Sequence, residues 1–413
     1  MIKIKKIKIF ISAYACEPNY GSEIGVGWNW ILQMSEYYDL WVLTRKSNRN
    51  NIENFFKHNR ICTNINFIYF DLSKKLTFWK KGTRGVRLYY SLWQYFSDKI
   101  VKQTMIENEI EIYHLLTYGN SSYPCSNYGK KQFFIWGPTS AGDIIERDFS
   151  KHYTIKWRVI ELLRRISVNL LKFNPGFISR CNNADLILCK TMSTFKSIPD
   201  NHKHKAELFT DVAVSKLDSE YINYCQKKSK NIIRFLAAGS LVGWRGFDIL
   251  IESFATAANH DKNILLTILG KGSERNRLQN LIDELKMNKH IKLAGQLKIS
   301  EYYQQFSTSD VAINPCLKEG AVTFSFDSMS FGKPLICIDT GGYTRYFSNK
   351  NAIVLERTTR KELIISMTKA ILNLTNKSLI SKLGKNASLI GSNLNWNNKG
   401  KEINQIIKKY YYK

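Results

Sequence analysis

The chain has 413 residues, of which 61 are Lys or Arg and 34 are Asp or Glu, giving a formal net charge of +27. With 44% hydrophobic and 13% aromatic residues it is too apolar for a disordered polycation or a histone-like tail, and it is long enough to bury the cores of two or three domains without staples. Such a charge calls for an anionic partner: nucleic acid, an anionic membrane face or phosphorylated small molecules.

The opening residues, Met1 to Ile11, superficially imitate a charged leader. Their lysines and isoleucines largely alternate at period two before Ser12, Tyr14 and Glu17, which predicts a first β-strand in a cytosolic protein. The turn Glu17-Pro18-Asn19-Tyr20-Gly21-Ser22-Glu23 leads into an apolar-periodic helix through Val26, Trp30, Ile31 and Met34. Short apolar runs follow at 40–44, 65–70, 111–115, 133–136 and 185–188, separated by helical patterns, the mark of right-handed βαβ units. This half closes near residue 210, and a Lys-rich, weakly periodic linker follows, 211–231. The alternation then restarts, with strands expected at 233–238, 264–269, 291–293, 311–314, 334–338 and 352–355 and helices at 247–257 and 275–285. Thr359-Arg360-Lys361-Glu362 reads as a capping box opening a further helix. The expected fold is α/β, with two doubly wound Rossmann-like domains facing a central cleft, because ligands of such sheets bind at the carboxyl ends of the strands. The eight cysteines are scattered without metal-ligand spacing, so reduced, mostly buried thiols and no metal site are expected. No apolar run is long enough to span a bilayer.

The most informative segment runs from Glu319 to Pro334. It follows the strand ending at Asn314, so Glu319 falls in a loop, while Val322 to Phe331 suits a short helix stopped by Gly332-Lys333-Pro334. Peptide N–H groups of Ala321, Val322 and Thr323 would then form an anion site at the helix start. Asp327, a turn further on, is placed to accept hydrogen bonds from vicinal hydroxyls, as acidic groups do for ribose in dinucleotide folds. Two carboxylates flanking such a helix start fit a nucleotide-sugar donor.

These residues resemble the family-4 retaining glycosyltransferases of the GT-B fold, with Glu, seven residues, Glu and a Met-Ala-x-Gly-x-Pro tail. Glu319 matches the first acid, Asp327 stands at the second, and Met329, Gly332 and Pro334 are in register. Gly239-Ser240-Leu241-Val242-Gly243-Trp244-Arg245-Gly246 resembles the family's Gly-Arg-Leu…Lys-Gly element, with Arg245 in place of Lys and Ser240 in place of Arg. Leu269-Gly270-Lys271-Gly272, Leu293-Ala294-Gly295, Trp136-Gly137-Pro138 and Gly21 match further turns.

The resemblance implies transfer of a sugar from a nucleoside-diphosphate donor to a saccharide or lipid-linked acceptor, with retention of configuration and without a metal or other cofactor. It implies an N-terminal acceptor-binding domain, 1–210, joined by the C-terminal helix 396–413, and a donor-binding domain, 211–395. Charge growing on the leaving diphosphate must then be met by cations and amides, with Arg245 as the candidate cation. Lys271 is the nearest substitute for the cation lost at Ser240, and Gly239 starts the same turn. His114 stands where the family often carries an active-site histidine; the alternative is a strand-end histidine facing solvent or capping a turn. Gly21 suits a close approach of backbone to phosphate or acceptor, and Glu23 reads as a cap rather than a ligand.

The positive charge has its own pattern. Apolar residues at 155, 159, 162, 163, 166, 170 and 173 fall on one helical face, with Lys156, Arg158, Arg164 and Arg165 among them. A second basic and aromatic segment runs from Lys74 through Trp79, Lys80, Lys81, Arg84, Arg87, Tyr89 and Tyr90 to Trp93. Either the apolar stripe packs on the domain sheet or it docks in an anionic lipid interface. Taken with the resemblance, this pattern leads to the expectation of a cytoplasmic enzyme, peripheral on the inner face of the cytoplasmic membrane, in surface polysaccharide or lipopolysaccharide biosynthesis. The other readings are a GT-B enzyme of different chemistry, an epimerase or phosphorylase, and a nucleic-acid binder; no nucleic-acid module is recognisable, so no nucleic-acid partner is expected.

Overall fold

The computed structural model describes the chain except residues 1–5, 60–63, 81, 83–84, 122, 127–128, 130, 216–230 and 319–321. It divides into two compact units. One comprises Met1–Gly142, Asn169–Asp211 and Trp396–Lys413, and the other Asp143–Val168 and Val212–Asn395.

The first unit is built on seven parallel strands: β1 (Lys8–Ser12), β2 (Asp39–Arg45), β3 (Ile65–Phe70), β4 (Ile112–Leu115), β5 (Phe133–Thr139), β6 (Leu186–Cys189) and β7 (Ala206–Leu208). They lie in the order β3-β2-β1-β4-β5-β6-β7. Apolar residues alternate across both faces of the central strand: Phe10 joins one core, while Ile9 and Ile11 join the other. The C-terminal helix, Trp396–Tyr411, packs on the helix Ser22–Ser35, burying Ile403 and Ile407.

The second unit repeats the plan with β8 (Ile233–Ala238), β9 (Ile264–Leu269), β10 (Ile291–Gly295), β11 (Val311–Asn314), β12 (Leu335–Ile338) and β13 (Ala352–Leu355). The order is β10-β9-β8-β11-β12-β13, again all parallel. Both sheets therefore reverse strand order once, between β1 and β4 and between β8 and β11. The capping box forms as expected: Glu362 N–H donates to Thr359 Oγ1, and Thr359 N–H to Glu362 Oε2, at the head of the helix Arg360–Asn373.

Several expectations change. Residues 143–168, placed by sequence in the first half, pack with the second unit, because Ile145, Phe149 and Tyr153 enter its core. The strand β7 was not anticipated. Tyr89, Tyr90 and Trp93 are core residues of the first unit, on the helix Val86–Phe96 around Tyr14, rather than a surface basic-aromatic patch; Lys81 and Arg84 lie outside the described residues. Most of the expected linker, 216–230, lies outside them too. The amphipathic helix is Ile155–Asn169, but its apolar stripe does not pack on the sheet: Ile155, Val159, Leu162, Leu163 and Ile166 are all exposed. Among the described residues no helix is long and apolar enough to cross a membrane.

Candidate functional site

In a doubly wound sheet, two adjacent strands whose connections leave in opposite directions open a crevice at their carboxyl ends. In the second unit this point lies between β8 and β11, and the loops that follow these strands carry the motifs expected from the sequence to meet a donor. The β8 loop, from Gly239, is drawn against its neighbours by backbone. Gly239 N–H donates to Leu269 O at 3.0 Å, and Leu241 N–H to Lys271 O at 3.0 Å. Gly270, with φ of 130°, approaches so closely that an added Cβ would stand 1.9 Å from Gly239 O. On the other side, Gly246 has φ of 67° and would bring a Cβ within 2.2 Å of Pro315 O, and Leu317 N–H donates to Trp244 O at 3.3 Å. The β8, β9 and β11 loops are thereby one assembly.

Arg245 is half-buried, its Cζ 4.7 Å from the centre of the Trp244 ring. Lys318 Nζ lies 5.1 Å from the centre of the same ring and pairs with Glu161 Oε2 at 3.3 Å, both side chains nearly fully buried. The indole thus carries two cations, each held by its negative π-face. Ser240 and Lys271 are exposed on neighbouring loop tips. Glu319 and Ala321 lie outside the described residues. Val322 is the N-cap of the helix Thr323–Ser330 and offers no side-chain capping bond; Ser325 N–H turns back to Val322 O at 3.0 Å.

Asp327 is buried on that helix and accepts a hydrogen bond from Tyr302 Oη at 2.7 Å. Desolvation pushes its carboxyl up to about 7, opposed by the Tyr302 bond. Asn314, at the end of β11, steadies the helix by donating to Ser325 Oγ and Tyr343 Oη.

In the first unit, Gly21 is the exposed N-cap of the helix Ser22–Ser35, with nothing within 4 Å of the place a Cβ would take. Glu23 does not cap its helix. Its Oε1 accepts from Tyr118 N–H at 2.6 Å, tying the start of this helix to the loop after β4. His114 lies within β4 and is fully buried against Trp30, neither facing solvent nor capping a turn. Its Nε2 donates to Gly137 O at 2.7 Å, and Nδ1 has no partner among the described residues. Burial lowers its pKa to about 4, so the ring is neutral.

Sequence reasoning missed Trp244, Lys318, Glu161 and Tyr302 as neighbours of the site. Trp244 and Lys318 adjoin motif residues, and Glu161 is the single acid on a basic helix; Tyr302 gave no signal. A cavity of about 330 Å³ lined by Asp310, Lys333 and Gly384 sits at the opposite, amino ends of β11 and β12. Among the described residues no group of acids, His and Cys is placed to hold a metal.

Residues 225–389 match the model of the family described as Glycosyl transferases group 1. The chain is 30% identical over 179 residues, 42% of its length, to the UDP-N-acetylglucosamine–peptide N-acetylglucosaminyltransferase GtfA subunit of Limosilactobacillus reuteri, covering 34% of that protein. The chain spans about a third to a half of the length of the first curated relatives it matches. Among solved structures it resembles a glycosyltransferase from Rickettsia africae, with a TM-score of 0.64, 14% identity and coverage of 98% of this chain and 99% of that one. It also resembles WaaG, a glycosyltransferase involved in lipopolysaccharide biosynthesis, with a TM-score of 0.59, 13% identity and coverage of 97% and 99%. The fold, two Rossmann-like parallel sheets with their helices, is that of GT-B glycosyltransferases.

Proposed function

We propose that this chain transfers a sugar from a nucleoside-diphosphate donor to a saccharide or lipid-linked acceptor, with retention of configuration, in the building of a surface polysaccharide. The observation that carries the reading is the assembly of the β8, β9 and β11 loops at the strand-order reversal, inside the segment that matches the group 1 family. The second unit binds the donor and the first the acceptor. Arg245 and the first amides of the Thr323 helix hold the diphosphate, so charge developing on the leaving phosphate is met without reorganisation. Lys271 serves as a further cation from its exposed tip. Glu319 contacts the donor sugar. Asp327, oriented by Tyr302, is the acid assigned to the ribose hydroxyls, a role that its position one turn into the helix supports. Gly21 gives the reacting groups room, and His114 acts as a positioning group through Gly137. The family resemblance supports a metal-independent reaction, and the GtfA and WaaG relatives support a uridine-type donor and a surface-glycan setting for this chain.

The test is a panel of nucleoside-diphosphate sugars against lipid-linked and free saccharide acceptors, with the product anomer read by NMR and the rate compared with and without EDTA. Retained configuration and an EDTA-insensitive rate are expected, with transfer lost in Glu319→Ala and Arg245→Ala while the fold survives. Isomerised sugar without an acceptor would mean an epimerase, a phosphate-dependent reaction would mean a phosphorylase, and stabilisation by single-stranded RNA alone would end the transferase reading.

A further inference from the structure

The helix Ile155–Asn169 is built inside out. Its inward face is polar or amphipathic and meets the site loops: Glu161 pairs with Lys318, Trp157 Nε1 donates to Ser273 Oγ at 3.1 Å, and Trp157 packs against Gly243. Its outward face carries Ile155, Val159, Leu162, Leu163 and Ile166, recurring at intervals of three and four residues, and these are 79%, 49%, 54%, 60% and 46% exposed. An apolar ridge of this kind is uncommon on a solvated surface and marks a docking face.

Charge identifies the occupant. Lys156 and Arg158 are exposed on either side of the ridge, and the helix's single acid, Glu161, is turned inward and neutralised. The outward face therefore offers hydrocarbon flanked by cations and no carboxylate, the arrangement that sinks an apolar stripe below the headgroups of an anionic bilayer while the cations stay among the phosphates. A second copy of this chain is a poor fit, because an isologous contact would bring these cations against their own images.

We propose that the outward face of this helix seats on an anionic lipid bilayer, and that seating steadies the β8, β9 and β11 loops through the inward face. Loops tied to a helix that is itself seated have less freedom left for a nucleoside diphosphate to remove on binding. The coupling rests on the donor-site reading above; the docking does not.

The experiment uses the full chain with phosphatidylcholine vesicles, with and without phosphatidylglycerol, at physiological salt. The variant is Leu162→Asp with Leu163→Asp, both at exposed positions, with circular dichroism confirming the fold. Cosedimentation should require phosphatidylglycerol and fall at least about tenfold in the double variant, since each leucine contributes on the order of a tenfold factor when buried. UDP or GDP should bind about threefold more tightly to the wild type with anionic vesicles present, and the gain should vanish in the variant. Equal sedimentation of the two proteins, or a self-associated wild type that the variant makes monomeric, would overturn the docking. Sedimentation with an unchanged nucleotide affinity would overturn the coupling. A chain that sediments but binds no nucleoside diphosphate would keep the docking and fail the donor reading instead.

Discussion

Lys318 Nζ lies 3.3 Å from Glu161 Oε2, and the two side chains are only 6% and 3% exposed. The Glu161 carboxylate also accepts from Ile145 N–H and stands 3.6 Å from Arg164 Nε, so its charge is shared among three donors. Loss of Glu161 leaves the Lys318 ammonium buried without its carboxylate, and loss of Lys318 leaves Glu161 with the more distant Arg164 in place of its nearer ionic partner. Lys318→Met alone, or Glu161→Met alone, should therefore cost about 3–5 kcal/mol in chemical denaturation. The double variant should recover most of the loss, and a double-mutant cycle without coupling would show that the pair is not what holds the loop.

Gly246 joins the β8 loop to the β11 loop at a left-handed position under Pro315. Gly246→Ala meets both a backbone conformation that side chains disfavour and a carbonyl in the way, so a loss of roughly 1–3 kcal/mol is expected. Because the collision separates the two loops, nucleoside-diphosphate affinity measured by calorimetry should fall more than stability does. An alanine variant that binds normally would place the donor elsewhere.

Two buried titrations give the units opposite pH responses. Asp327, raised to about 7, holds its proton in the folded state where the unfolded chain has lost it, so its contribution is present at low pH and is lost as pH rises from the unfolded value toward 7. His114, lowered to about 4, works the other way: the unfolded chain binds the proton first, so stability in the first unit is gained as pH rises from 4 to the ordinary histidine value. Asp327→Asn should flatten the decline between about pH 4 and 7, and His114→Gln should flatten the rise between about pH 4 and 6.5. Hydrogen exchange of amides in β11 and β4 reads the units separately; unchanged slopes in both variants would contradict these environments.

Gly400 lets the C-terminal helix meet Gln33 on the helix Ser22–Ser35, where an added Cβ would lie 2.9 Å from Gln33 Cβ. Gly400→Leu should loosen that contact and destabilise the first unit by about 1–3 kcal/mol, through overpacking, with the second unit's melting unchanged. Gly400→Ala should lose less, because it adds one methyl group, but the loss should not vanish, since Gln33 Cβ is held by its backbone.

Strands were legible wherever β-branched and aromatic residues ran together, as in Ile65–Phe70, because such a composition suits a pleated, half-buried surface. The strand Ala206–Leu208 was not, since three residues carry no period. Thr359 and Glu362 announced their capping box because both partners sit in one short segment. The donor loops were legible as motifs, but the Trp244, Lys318 and Glu161 cluster joins residues far apart in the chain, and only the fold brings them together. The inverted helix shows the deepest limit. A 3.6-residue apolar period reports a face, and nothing local says whether that face points at a core or at a lipid surface.

The contacts of Gly270 with Gly239 and of Gly246 with Pro315 bind three loops through atoms no side chain can replace. Lengthening or reshaping one of them displaces the next, so substitutions here are accepted in sets or not at all. On the proposed donor-site reading, diversification is thereby channelled to the exposed tips, Ser240 and Lys271. Exchange at those two positions leaves the glycine contacts untouched, so the presenting backbone outlasts changes at its tips.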